Sequence, residues 1–158
     1  MKKLIIIIFN LLIFNTSYSQ CNCETIKRED GLKVIQCYPL PVASDNTTQI
    51  GLALASNGTN NFITITIRFQ NTAKNIIGDL NILLEDNNMI TFQLVNAGLS
   101  FIGNNEVAQG VFSLSDKQLG KIKLSKLKTI NLKLSDGLLR SYKAESNKDI
   151  LIKQAKCF

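Results

Sequence analysis

The chain has no histidine, no tryptophan and only two prolines in 158 residues. Without histidine there is no Ser-His-Asp or Cys-His nucleophile site, no imidazole general base and no histidine metal ligand. Without tryptophan the strongest stacking platform for sugars or bases is gone, leaving eight Phe and three Tyr for any aromatic contact. No glycine-rich phosphate loop is present. Acids are the scarcer charge, 12 against 18 Lys and Arg. Long apolar runs are also missing: the one candidate, Leu4 to Phe14, is interrupted by Asn10. It falls well short of the ~20 residues that a membrane-crossing helix needs.

That short run has a different meaning in its context. Lys2 and Lys3 precede it, and a polar segment ending Ser17-Tyr18-Ser19 follows it. A basic start, an apolar stretch and a small-x-small end are the layout of a secretory signal peptide. The expected division is residues 1–19 as signal peptide and 20–158 as a single disulfide-stabilised β domain, with no transmembrane segment in the mature chain. Removing Lys2 and Lys3 lowers the formal net charge from +6 to about +4. A mild positive charge favours solubility and does not imply a nucleic-acid partner. The alternative is a lipoprotein anchored at Cys21. Tyr18 and Gln20 fit the lipobox poorly, and lipidation there would leave an odd number of cysteines.

Cys21, Cys23, Cys37 and Cys157 all follow the signal. An even count in an exported protein reads as disulfides. A thiolate zinc site would need two compact pairs, and Cys-Asn-Cys with two distant singles is not that pattern. No metal and no cofactor is expected.

Alternation at period two dominates the rest. Ile50, Leu52 and Leu54, then Ile63, Ile65, Ile67 and Phe69, then Ile130, Leu132 and Leu134, each alternate with smaller or polar residues. Leu80, Ile82 and Leu84 share one parity, as do Ile90, Phe92 and Leu94. These are strands with one buried face, the habit of antiparallel sheets. Parity also selects three-residue hairpin loops, whose last residue takes the left-handed region. Asp86-Asn87-Asn88 would set Leu84 opposite Ile90 and Ile82 opposite Phe92. Ser135-Asp136-Gly137 pairs Ile130 with Tyr142. Glu29-Asp30-Gly31 pairs Ile26 with Val34 and sets Cys23 opposite Cys37. Of the three possible connectivities this favours Cys23–Cys37 and leaves Cys21 to reach Cys157, although Cys21 and Cys23 are near enough to exchange partners.

Two short helices are expected later. Ser115-Asp116-Lys117-Gln118 has capping-box form. Ser146-Asn147-Lys148-Asp149 opens a second helix in which Ile150, Leu151, Ala155 and Phe158 share a face. Pro39-Leu40-Pro41 reads as a crossing loop, because proline cannot donate to a ladder. The fold class is therefore mainly β: an antiparallel two-layer β-sandwich with one or two short helices in the C-terminal third. The alternative is α+β, an antiparallel sheet packed by a C-terminal helix.

Catalytic patterns are thin. Ser44-Asp45-Asn46 and Ser125-Lys126-Leu127-Lys128 match motifs of penicillin-binding enzymes, but in reversed order and without Lys-Thr-Gly. Ser44-Asp45-Asn46 is better read as a turn. Glu85-Asp86 sit at a hairpin tip, and Asp79, Glu106 and Asp149 are isolated, so no carboxylate pair stands out. One charged feature remains. Lys121, Lys123, Lys126, Lys128 and Lys133, preceded by Lys117, occur with no acid between Asp116 and Asp136. They form a candidate patch for an anionic partner such as an acidic glycan or envelope protein. The plain reading is a solvated face with protected edges.

Certain residues also carry a resemblance. These are Cys21-Asn22-Cys23, Asp30-Gly31-Leu32 through Cys37, Leu40-Pro41-Val42-Ala43-Ser44-Asp45, and the tail from Asp149 to Cys157. With the signal ending Ser-Tyr-Ser-Gln, the chain resembles small secreted proteins of Bacteroidota whose activity is unknown. The resemblance implies export and a stapled fold, and no activity. The functional expectation is an exported, non-enzymatic binding or envelope-interaction module, in the periplasm or outside the cell. An inhibitor or immunity-type protein of an envelope enzyme and a small carboxylate-only hydrolase are the alternatives.

Overall fold

The computed structural model describes residues 21–158, so the expected signal peptide lies outside the described residues. The elements run β1 (Cys23–Lys27), β2 (Lys33–Cys37), β3 (Leu40–Ser44), β4 (Thr48–Ser56), β5 (Asn61–Phe69), β6 (Leu80–Leu84), β7 (Met89–Phe92), β8 (Leu94–Ile102) and β9 (Asn105–Leu114). Helix α1 (Asp116–Ile122), β10 (Leu127–Lys133), β11 (Leu139–Lys143), α2 (Ile150–Gln154) and a 3-10 turn (Ala155–Cys157) complete the chain. The fold is mainly β with antiparallel pairing, as the alternation requires.

Seven strands form one sheet in the order β1-β2-β4-β5-β9-β8, and β3 shares the β2-side edge of β4. The other sheet runs β11-β10-β6-β7. Inward residues of the large sheet, among them Ile50, Leu52, Ile63, Ile65 and Phe112, join one apolar core with Leu80, Ile82, Phe92, Ile130 and Leu132 of the small sheet. The central strands bury one alternating, mostly apolar set between the two layers, which removes apolar surface from water.

The three hairpin loops share one chemistry. Gly31 (φ 83°), Asn87 (φ 65°) and Gly137 (φ 82°) take the left-handed position. In each loop the preceding aspartate accepts a backbone N–H two residues on: Leu32 to Asp30, Asn88 to Asp86 and Leu138 to Asp136. Cys23 lies opposite Cys37 and Ile130 opposite Tyr142. The β6–β7 register corrects the expected one. Ile82 faces Ile90 and Leu80 faces Phe92, so the loop is Glu85-Asp86-Asn87. The shift is two residues, which keeps every apolar side chain on its face, so parity alone does not distinguish the two registers.

Two further expectations change. Pro39-Leu40-Pro41 is only partly a crossing segment, because Leu40 and Pro41 pair in β3 against β4, and the register shifts between Pro41 and Ala43. An irregular edge is where a strand tolerates proline. Helix α2 begins later than expected, with Asp149 at its N-cap and no side-chain cap. The Ser146 hydroxyl is used elsewhere, donating to the Pro41 carbonyl at 2.8 Å, and Asn147 adopts φ 43°. Gln154, fully buried, then sews α2 to the large sheet. Its Oε1 accepts the Leu54 N–H at 2.8 Å and its Nε2 donates to the Tyr38 carbonyl at 3.0 Å.

Candidate binding cleft

An open cleft of about 750 Å³ lies where the chain passes from the small sheet to the large one. Its walls come from the β4–β5 loop, the ends of β5, β7 and β9, and the start of α1. Local chemistry fixes each wall. In the β4–β5 loop, Asn57 Oδ1 accepts the N–H groups of Thr59 at 3.0 Å and Asn60 at 2.8 Å. At α1, Ser115 and Gln118 form the capping box anticipated from their spacing. Gln118 Nε2 also donates to the Thr91 carbonyl at 2.7 Å and so ties α1 to β7. Asp79 Oδ1 accepts the Leu94 N–H at 3.0 Å, holding the crossover between sheets.

The lining is amide, hydroxyl and carboxylate: Asn60, Asn61, Gln93 and Gln118, with Thr59, Thr91, Ser113 and Ser115, and with Asp79 and Asp116. Phe62 and Leu114 supply the apolar surface. Among the described residues no lysine or arginine lines it. Such a surface offers both donors and acceptors and a ring edge or face, at net negative charge. That suits a neutral polyhydroxylated ligand better than an anion. Asp79 and Asp116 are far apart in sequence, and no pattern in the chain announced that they would share a cleft.

The lysines singled out above fall in several places. Lys121 lies in α1, Lys123 caps it, and Lys126 precedes β10. Lys128 donates to Asn87 Oδ1 at 2.8 Å. Lys133 ends β10, roughly 16 Å along the strand from Lys128. Lys148, outside that run, meets Glu85 at 3.4 Å.

Several carboxyls are held in their charged form by local bonds. Lys153 holds Asp149 below the ordinary carboxylate range. The Asn88 N–H does the same for Asp86. Burial works to raise Asp45, but donors from Thr47 and Thr48 outweigh it and lower the group. In the other direction, the Tyr38 hydroxyl donates to Glu24 at 2.9 Å, which raises the phenol.

The four cysteines form two disulfides, Cys21–Cys157 and Cys23–Cys37. The sulfurs of Cys21, Cys23 and Cys157 all lie within 4.8 Å of one another. A metal site there would need thiolates, which disulfide sulfurs are not, and a lipid on Cys21 would need the sulfur that Cys157 holds. Disulfides belong to an oxidising compartment outside the cytoplasm. Among the described residues no helix is long and apolar enough to cross a membrane. The chain matches no family model, no curated protein and no solved structure.

Proposed function

We propose that this protein is an exported, non-enzymatic binding module of the periplasm or cell exterior, and that it takes a neutral glycan-like ligand in the cleft between the β4–β5 loop and α1. The observation that carries this reading is the lining itself: among the described residues it holds four amides, four hydroxyls, two carboxylates and one phenyl ring, several of them fixed by hydrogen bonds to neighbours, and no cation. Glycan recognition uses this mixture, since each sugar hydroxyl both donates and accepts and each sugar ring has an apolar face. Export is supported by the signal-type layout of residues 1–19 and by the two disulfides.

The test is NMR titration of the oxidised mature chain with a panel of neutral oligosaccharides. Expected are shifts confined to Thr59–Phe62, Gln93 and Ser113–Gln118, and an affinity at least about tenfold weaker for Gln93→Ala, the loss of one or two well-made hydrogen bonds. No binding by any member, or shifts elsewhere on the molecule, would refute it.

A carboxylate-only hydrolase is the second reading, favoured by one observation: Asp79 and Asp116 line the same cleft. It predicts product signals in the same titration and their loss in Asp79→Asn and Asp116→Asn. An oligosaccharide that binds and stays intact rules it out.

A further inference from the structure

Strand β8 is unlike the other edges of the two sheets. It ends the seven-stranded sheet, and among the described residues only β9 pairs with it. An open edge presents unpaired N–H and C=O groups, which proteins normally guard with charge, proline, shortness or cover. The remaining edges are guarded in these ways. Edge β1 carries Glu24 and Lys27, and β11 carries Arg140 and Lys143. On β3 there is Pro41, and the Val42 carbonyl already accepts the N–H groups of Glu145 and Ser146. The β7 edge is four residues long and is met by Gln118. By contrast β8 is nine residues, Leu-Val-Asn-Ala-Gly-Leu-Ser-Phe-Ile, with no charge and no proline. Its guard is a single register shift near one end, between Leu94 and Asn96.

Much of the apolar surface on this edge is also uncovered. Leu99 pairs with Ala108 and Ala97 with Gly110, so they and Phe101 share the parity that faces the core. Ala97 packs against the core, whereas Leu99 stays 48% and Phe101 71% exposed. Val95 and Ile102 are exposed as well.

We infer that β8 is a self-association edge, pairing antiparallel with β8 of a second copy about a two-fold axis through Gly98. The strand's own sequence selects this occupant, because its polarity is palindromic about that glycine. With Gly98 on the axis, Ala97 faces Leu99 and Asn96 faces Ser100, and the register shift between Leu94 and Asn96 takes Leu94 and Val95 out of the regular ladder beyond them. Apolar residues meet apolar ones, the two polar residues meet each other, and two net-positive chains join along a seam without charge. The pairing is isologous and closes at two copies. It supplies main-chain hydrogen bonds as in strand addition and covers Leu99 and Phe101 from water.

Gly98 also provides a clean test. A Cβ there would meet nothing within 4 Å, and its φ is not in the left-handed range, so a longer side chain is compatible with the folded monomer. On the axis, however, two lysines would stand directly opposite each other, and like charges so placed destabilise a strand pair. Sedimentation velocity on the oxidised mature chain across a concentration series is expected to show a monomer–dimer equilibrium. Gly98→Lys and Phe101→Lys should each weaken it by at least about tenfold, while far-UV circular dichroism and thermal midpoint at low concentration stay near wild type. Amides of Ala97–Phe101 should gain exchange protection as concentration rises. A wild-type chain that remains monomeric at high concentration overturns the inference. So does a dimer indifferent to Gly98→Lys, or open-ended assembly in place of a closed dimer.

Discussion

One aspartate shows how far a single residue reaches. Asp136 begins as turn chemistry, accepting the Leu138 N–H in its hairpin loop at 3.1 Å. Its other oxygen is shared by two cations, Lys74 at 2.6 Å and Arg140 at 2.7 Å. Lys74 first, then Arg140, holds this carboxyl well below the usual carboxylate range. A carboxyl depressed by folding contributes stability above its unfolded value of about 3.9, and that contribution is lost as pH falls below it. Asp136→Asn is therefore expected to lower the thermal midpoint at neutral pH and to flatten its decline in acid. Melts from pH 7 to pH 2 will check this, and a variant whose acid profile overlays wild type would contradict it. The turn was legible in Ser135-Asp136-Gly137. The ion cluster was not, because Lys74 lies 62 residues away and nothing local to either residue brings them together.

At the scale of elements, alternation revealed strands wherever large β-branched or branched apolar residues recur at every second position. It missed the β8–β9 hairpin. Ala97, Gly98, Ala108 and Gly110 interrupt that recurrence, so their segments lack a clear two-fold signal although they lie in long ladders. Small residues here follow from packing. At Gly110 a Cβ would come within 2.9 Å of the Phe112 ring and 3.0 Å of Ile76 Cδ1. Phe112 and Ile76 are both buried in the close-packed core, so a shift of either displaces its neighbours. Gly110→Ala is expected to overpack the core and destabilise the protein by about 1–3 kcal/mol. Urea unfolding reads this directly, and a neutral or stabilising result would show that the core relaxes around the methyl group. Capping of α1 was legible because both partners are local, three residues apart. For α2 the local signal misled, since Ser146 finds a better acceptor in Pro41, distant in the chain.

For the molecule as a whole, the disulfides differ in what they constrain. Cys23–Cys37 spans 14 residues of one hairpin, whereas Cys21–Cys157 spans 136 and ties the two ends of the described chain together. By loop-closure entropy, removing the short bridge through paired Cys→Ser changes costs about 3 kcal/mol, and removing the long one about 5 kcal/mol. Urea unfolding of the two double variants should preserve that order. A larger loss from the hairpin bridge would mean that β1 and β2 have no hold on the sheet without it.

Local chemistry along the sequence writes the alphabet of this protein. It sets which residues of the strongly alternating strands face inward, where chains turn back through Asp-Gly and Asp-Asn loops, which helix is capped, and that histidine chemistry is absent. These are contacts within a few residues, or properties of composition, and they need no partner from afar. Tertiary structure decided the rest. Parity leaves a register free to slip by two, and only the whole β6–β7 ladder selects one slip. The order of strands sets β8 at an open edge. Gln154 meets Leu54 across 100 residues, and Asp79 and Asp116 come to line one cleft. Such encounters depend on which surfaces bury best against each other once all strands are present, a choice made by the complete core and by no segment alone.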